Sequence, residues 1–216
     1  MRRYLLSSIY DPSEWTLIRQ RVLNILNVDI GSIIETRRSA ATYTYMRGDA
    51  SKYIHLTDEQ RVICDDLLRF RRSAFIEGAA GTGKSFLITA LIGKLNELEL
   101  KVSLVAPTGI AAFNVKGATI HSQFRISTDV EWCNLEEESE LVGYIASLDV
   151  LIIDEISMVS IKLFECLNRL FQHVKTSEDF FGGIQVICIG DFCQLPPVVT
   201  GNGFLNNTPL FSALSR

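Results

Sequence analysis

The sequence predicts an α/β domain with a mainly parallel sheet flanked by helices. Three observations carry this. From Leu56 onward, short apolar runs alternate with helical patterns. A glycine-rich loop follows the first of those runs directly, and a pair of acids closes a later one.

The strands are expected at Ala74 to Glu77, Val102 to Ala106, Val150 to Asp154 and Val186 to Gly190. Runs this short and apolar suit strands buried on both faces. Between the first two, Leu87, Ile88, Leu91, Ile92 and Leu95, with Phe86 and Leu98 at the ends, mark a largely buried helix. A second helix is expected from Ile161 to His173, where Ile161, Phe164, Leu167 and Leu170 recur every three residues and form a core stripe. Residues 1–50 read as a small N-terminal appendage with one helix near Ser13 to Leu26 and a polar stretch carrying Arg37, Arg38 and Arg47. Residues 51–216 form the main domain. The acid-rich segment from Asp129 to Glu140 reads as a solvated insertion.

A chain of 216 residues, 47% hydrophobic and 21% charged, suffices for one sizeable core. Its net charge of -4 argues against a surface that coats nucleic acid as a whole, although a local groove can be basic on an acidic domain. The five cysteines, Cys64, Cys133, Cys166, Cys188 and Cys193, are odd in number and lack the close pairing of a zinc site. They read as reduced thiols of an intracellular protein, cytoplasmic or nuclear. No apolar run approaches the roughly 20 residues that cross a bilayer, so no membrane partner is expected. The acids Asp11, Glu14, Asp29, Glu35 and Asp49 count against a transit peptide.

GAAGTGKS, written out as Gly78, Ala79, Ala80, Gly81, Thr82, Gly83, Lys84 and Ser85, fits the phosphate-loop pattern G-x-x-x-x-G-K-[ST]. Glycines there let backbone N–H groups curl around phosphates, and the following helix, from Phe86 on, directs its positive end at them. Lys84 would reach the β and γ phosphates of ATP, and the Ser85 hydroxyl would ligate Mg²⁺. VLIIDE then places Asp154 and Glu155 at the carboxyl end of a buried strand, where open α/β sheets build their sites. Asp154 would hold Mg²⁺, and Glu155 would orient and deprotonate the attacking water. The bland alternative is a helix cap followed by an acid that the helix dipole favours. GDFCQLPPV offers Gln194 at another strand's carboxyl edge, as a γ-phosphate sensor or as part of a rigid turn.

With LTDEQ at Leu56 to Gln60, APTGIAA at Ala106 to Ala112, GATIHSQF at Gly117 to Phe124 and IDEISM at Ile153 to Met158, these motifs stand in the order of one family. The chain resembles superfamily 1B DNA helicases of the petite-integration-frequency type, over about residues 56–216. The resemblance implies a RecA-like P-loop NTPase domain, the first of two motor domains, driving ATP-dependent 5′ to 3′ movement on single-stranded DNA. It assigns the adenine edge to Gln60, although Thr57 to Gln60 is equally a capping box. It assigns single-strand contacts to Pro107, Thr108, Gly109 and His121. A satisfied core histidine stays open for His121, and burial is the expected fate of Phe124. The family's second RecA-like domain, with arginines that complete the ATP site, is expected to lie outside this chain. Two rivals remain: a P-loop phosphotransferase acting on a small molecule, and a non-catalytic nucleotide-binding module.

Overall fold

The computed structural model describes residue 43, residues 45–126 and residues 139–191. The expected helix at Ser13 to Leu26, most of the acidic insertion, and the segment that carries Gln194 lie outside the described residues.

Helix α1, Asp58–Phe70, starts at a full capping box: Gln60 N–H donates to Thr57 Oγ1 at 3.2 Å, and Thr57 N–H donates to Gln60 Oε1 at 3.1 Å. It ends at Arg71, whose left-handed backbone turns the chain into strand β1, Ala74–Glu77. Helix α2, Lys84–Glu97, follows the glycine-rich loop and is buried on most of its circumference. Strand β2, Val102–Ala106, leads to α3, Gly109–Asn114, then to the two-residue strand β3, Ala118–Thr119, and α4, Ile120–Phe124. Helix α5, Ser139–Ser147, precedes β4, Val150–Ile153, and α6, Ile161–Lys175, precedes β5, Gln185–Gly190.

All four strand pairings are parallel, in the order β1-β5-β4-β2-β3. Alternate residues of each strand serve opposite faces. Leu151 and Ile153 of β4 and Val186 and Cys188 of β5 join the layer formed by α4, α5 and α6. Val150, Ile152, Ile187 and Ile189 join α1 and α2 instead. Helices cover both faces, so the strands can be apolar throughout. Phe124 is fully buried, with its ring edge-on to Phe171 at 5.4 Å, and is unavailable for stacking on a base. Cys64, Cys166 and Cys188 are buried and form no disulfide among the described residues, and burial pushes the Cys64 and Cys188 thiols up to about 12, which keeps them protonated and inert. No described helix is long and apolar enough to cross a membrane.

Residues 45–49, expected in the appendage, form a strap across α2. Met46 N–H donates to the Val102 carbonyl at 2.8 Å and Asp49 N–H to the Thr89 carbonyl at 3.0 Å. Gly48 lies against Gly93 in the interior of α2. A Cβ on Gly48 would overlap the Gly93 nitrogen and the Thr89 carbonyl, and a Cβ on Gly93 would overlap the backbone of Asp49 and Ala50. The close approach accounts for a glycine inside a helix, where it otherwise costs about 1 kcal/mol relative to alanine.

Candidate functional site

Parallel strands bring all their carboxyl ends to one edge. Register aligns the residues just beyond those ends. Glu77 pairs with Gly190, Ile153 pairs with Val105, and Ala106 pairs with Thr119. The glycine-rich loop after β1, Asp191 after β5, Asp154 and Glu155 after β4, Pro107 and Thr108 after β2, and His121 after β3 therefore lie along one line. At about 4.8 Å per strand, the acids stand about 10 Å from the loop, and the far end of the line about 19 Å.

The loop closes on itself. Lys84 Nζ donates to the Gly78 carbonyl at 2.6 Å and to the Ala79 carbonyl at 3.2 Å, and Thr82 Oγ1 donates to the Ala79 carbonyl at 2.8 Å. Gly81 and Gly83 both have positive φ, 77° and 84°, a region that favours glycine. Gly83 is doubly constrained, because a Cβ there would stand 2.8 Å from Gln60 Nε2. That nitrogen donates to the Thr82 carbonyl at 3.1 Å, so Gln60 caps α1 and steadies the loop at once. The recess between the start of α1 and the loop is lined by Thr57, Gln60, Gly78, Thr82 and Lys84. Ser85 is exposed at the first turn of α2, and Phe86 is half-buried behind it with Lys52 over its ring at 5.5 Å.

The acids present a different surface. Asp154 is buried, and its Oδ1 has no hydrogen-bond partner among the described residues. Burial raises its pKa above the usual carboxylate value. The Glu155 N–H pulls the other way, the Glu155 charge raises it further, and Lys84 lowers it, which places the lysine within electrostatic reach. Glu155 has a left-handed backbone, φ 50° and ψ 45°, costing of order 1 kcal/mol or more for a non-glycine residue. The next turn, Ile156–Met158, holds a second orphan: the buried hydroxyl of Ser157 has no partner among the described residues. Nothing in composition or spacing foretells the strained glutamate or the unpartnered serine.

At the other end of the line, Thr108 caps α3 by accepting from Ala111 N–H at 3.2 Å, leaving the hydroxyl proton free to donate. His121 is half-buried in α4, and burial holds its pKa below the usual histidine value. Pairing of Ala106 with Thr119 brings Pro107 to Gly109 and His121 together, though they come from separate motifs. Gln194 lies outside the described residues.

The PIF1-like helicase family model matches residues 55–209. The chain belongs to this family. It is 36% identical over 156 residues to the ATP-dependent DNA helicase Pif1 of a Psychrobacter species, covering 70% of this chain and 23% of that relative. Against the ATP-dependent DNA helicase PIF1 of Danio rerio the identity is 39% over 150 residues, covering 68% and 23%. The crystal structure of a Bacteroides Pif1 helicase in complex with ADP-AlF3 and single-stranded DNA superposes with a TM-score of 0.60 at 36% identity, over 67% of this chain and 34% of that one. The fold is accordingly the family's RecA-like α/β domain. This chain spans about a quarter of the length of those curated relatives and a third of that structure.

Proposed function

We propose that this chain is the ATP-binding motor domain of a DNA helicase, taking Mg²⁺-ATP at the β1 end of the carboxyl edge and single-stranded DNA at the β3 end. One observation carries the reading: a single sheet edge aligns a closed phosphate loop, a buried carboxylate with one oxygen left open, and a threonine-capped helix start. The family supports it, as does the Bacteroides relative solved with ADP-AlF3 and single-stranded DNA.

In this mechanism Lys84 exchanges the Gly78 and Ala79 carbonyls for the β and γ phosphates, and the N–H groups of Ala79 to Ser85 donate to phosphate oxygens. The adenine reading of Gln60 and its capping role are compatible. An amide has two N–H donors and two acceptor lone pairs, and the contacts to Thr57 and Thr82 engage one of each. Asp154 Oδ1, buried without a partner, and the exposed Ser85 hydroxyl fit a hard cation and would hold Mg²⁺. When bound, the cation neutralises charge on the phosphate oxygens. Glu155 orients the attacking water and takes its proton. Gln194, in the GDFCQLPPV motif, contacts the γ-phosphate. Pro107, Thr108, Gly109 and His121 grip the strand, with the Thr108 hydroxyl donating to a phosphate. A second RecA-like domain, from the same polypeptide or a partner, supplies the arginines that complete the ATP site, each worth about 10³ to 10⁵ in rate.

Thr108→Ala is expected to weaken binding of a labelled single strand by a similar factor across a salt series while leaving Mg²⁺-ATP affinity unchanged, since a neutral hydroxyl adds no counterion release. A chain that bound Mg²⁺-ATP but no single strand at low salt would favour a small-molecule phosphotransferase.

A further inference from the structure

The end of α1 carries a feature that the nucleotide and single-strand sites do not use. Residues Arg69, Arg71 and Arg72 surround Phe70 within four positions of an otherwise acidic chain. The left-handed turn at Arg71 brings two of them back onto the same ring. The Arg72 guanidinium lies 4.4 Å and the Arg69 guanidinium 5.2 Å from the centre of Phe70, which is 47% exposed. None of the three arginines forms an ion pair among the described residues. The acids one turn back in α1 form no ion pair with them among the described residues: Asp65 accepts from the Tyr53 hydroxyl, and Asp66 is exposed.

The turn is held firmly. Buried Gln185, at the start of β5, donates through Nε2 to the Leu67 carbonyl and the Arg72 carbonyl, each at 3.0 Å. Ser73 Oγ accepts from Val186 N–H at 2.9 Å. The patch therefore sits at the amino ends of β1 and β5, across the sheet from the phosphate loop. It cannot compete with the nucleotide or with Thr108.

We propose that Arg69 and Arg72, stacked on Phe70 and flanked by Arg71, form a second nucleic-acid contact that takes phosphate oxygens of the DNA backbone. The inference rests on the reading of the chain as a DNA motor. Guanidinium groups resting on a ring are planar, weakly hydrated and always charged, and their free N–H edges match phosphate oxygens in pairs. Sharing one ring holds the two charges within about 10 Å, a span that covers neighbouring phosphates along a strand. Both guanidiniums are drawn to the ring, so its exposed area is less suited to docking an apolar partner. The contact would hold a stretch of DNA away from the single-strand track, on a tail or a duplex arm.

The test uses the full chain and fluorescence anisotropy across a salt series, with a single strand, a blunt duplex and a poly-glutamate peptide as probes. Arg69→Gln with Arg72→Gln is expected to lower the slope of log affinity against log salt by about 1.4 to 1.8. Affinity at low salt should fall about tenfold, with melting temperature and Mg²⁺-ATP affinity unchanged. The loss should fall on the probe that the patch holds, single strand or duplex. Arg69→Lys with Arg72→Lys should restore most of the slope, since the charge returns. An unchanged slope on both DNA probes in the glutamine variant overturns the proposal, as does a loss confined to poly-glutamate, which would assign the patch to an acidic protein. If the wild-type chain bound neither DNA probe, the DNA-motor reading would fall with it. Thr108→Ala separates the two, because it should weaken single-strand binding and leave the patch's share of the slope intact.

Discussion

In the proposed mechanism the phosphate loop and the acid turn serve the same ligand, yet they are prepared for it in opposite ways. In the loop, Lys84 and Thr82 satisfy their donors on the loop's own carbonyls. In the turn, Asp154 Oδ1 and Ser157 Oγ are buried with no partner among the described residues, and Glu155 is held in a left-handed conformation. The loop is a relaxed element that must exchange partners on binding. The turn is a strained element whose Asp154 Oδ1 would gain a partner on binding. Binding energy is thus divided between a side chain that moves and a backbone that does not.

The largest effects should come from breaking each half by itself. Lys84→Ala is expected to lower Mg²⁺-ATP affinity at least about a hundredfold, because two charge-assisted contacts are lost. Its melting temperature without ligand should hardly change, since the lysine's present bonds are to half-exposed carbonyls. Glu155→Gln should keep nucleotide affinity and lower turnover by about 10² to 10⁴. Titration and steady-state turnover on the same preparations separate the two, and an equal loss of affinity in both variants would erase the division.

A smaller effect sharpens the contrast. Asp154→Asn removes a buried charge and should raise the ligand-free melting temperature by about 2 to 4 °C at pH 8. The sign comes from the raised pKa: an acid whose folded pKa lies above its unfolded value destabilises the fold while ionised, and the penalty lifts as pH falls through the folded value. The advantage of the variant should therefore shrink on acidification in a pH series of thermal melts. Mg²⁺-ATP should stabilise the variant less than the parent. A variant less stable than the parent at pH 8 would mean that Asp154 Oδ1, too, has a partner in solution.

Ser157→Ala should give the smallest shift, a rise of about 1 kcal/mol or less that does not vary with pH, since only an unpaired hydroxyl is removed. A fall in melting temperature would show that water already satisfies the serine.

Four strands are legible in the sequence because each is a short, mostly apolar run, and a sheet covered on both faces favours such runs. The phosphate loop and the acid pair are legible because their chemistry constrains residue type at fixed spacing. Two residues of β3 carry no periodicity, so its existence rests on pairing with Val105 and Ala106. Helix α5 is short, and its first turns adjoin an acid-rich stretch that reads as solvent-exposed. Residues 45–49 mix aromatic, basic and glycine residues, and what fixes them is a partner helix far along the chain. Gln60 reads from the sequence as either a cap or a ligand contact; only the geometry shows that its amide caps α1 and holds the loop together, with capacity left over.

The contact between Gly48 and Gly93 bears on how this sequence can drift over evolutionary time. Most tight packing pairs permit exchange: one side grows, the other shrinks, and the volume is conserved. Here each missing Cβ would strike main-chain atoms of the opposite segment, and those atoms are present whatever the side chains are. Neither position can be rescued by substituting the other. A compensating change would have to move the strap as a unit, so the two sites are expected to stay glycine independently, with no covariation between them. Pairwise substitution statistics would overlook one of the tightest tertiary contacts in the domain for that reason.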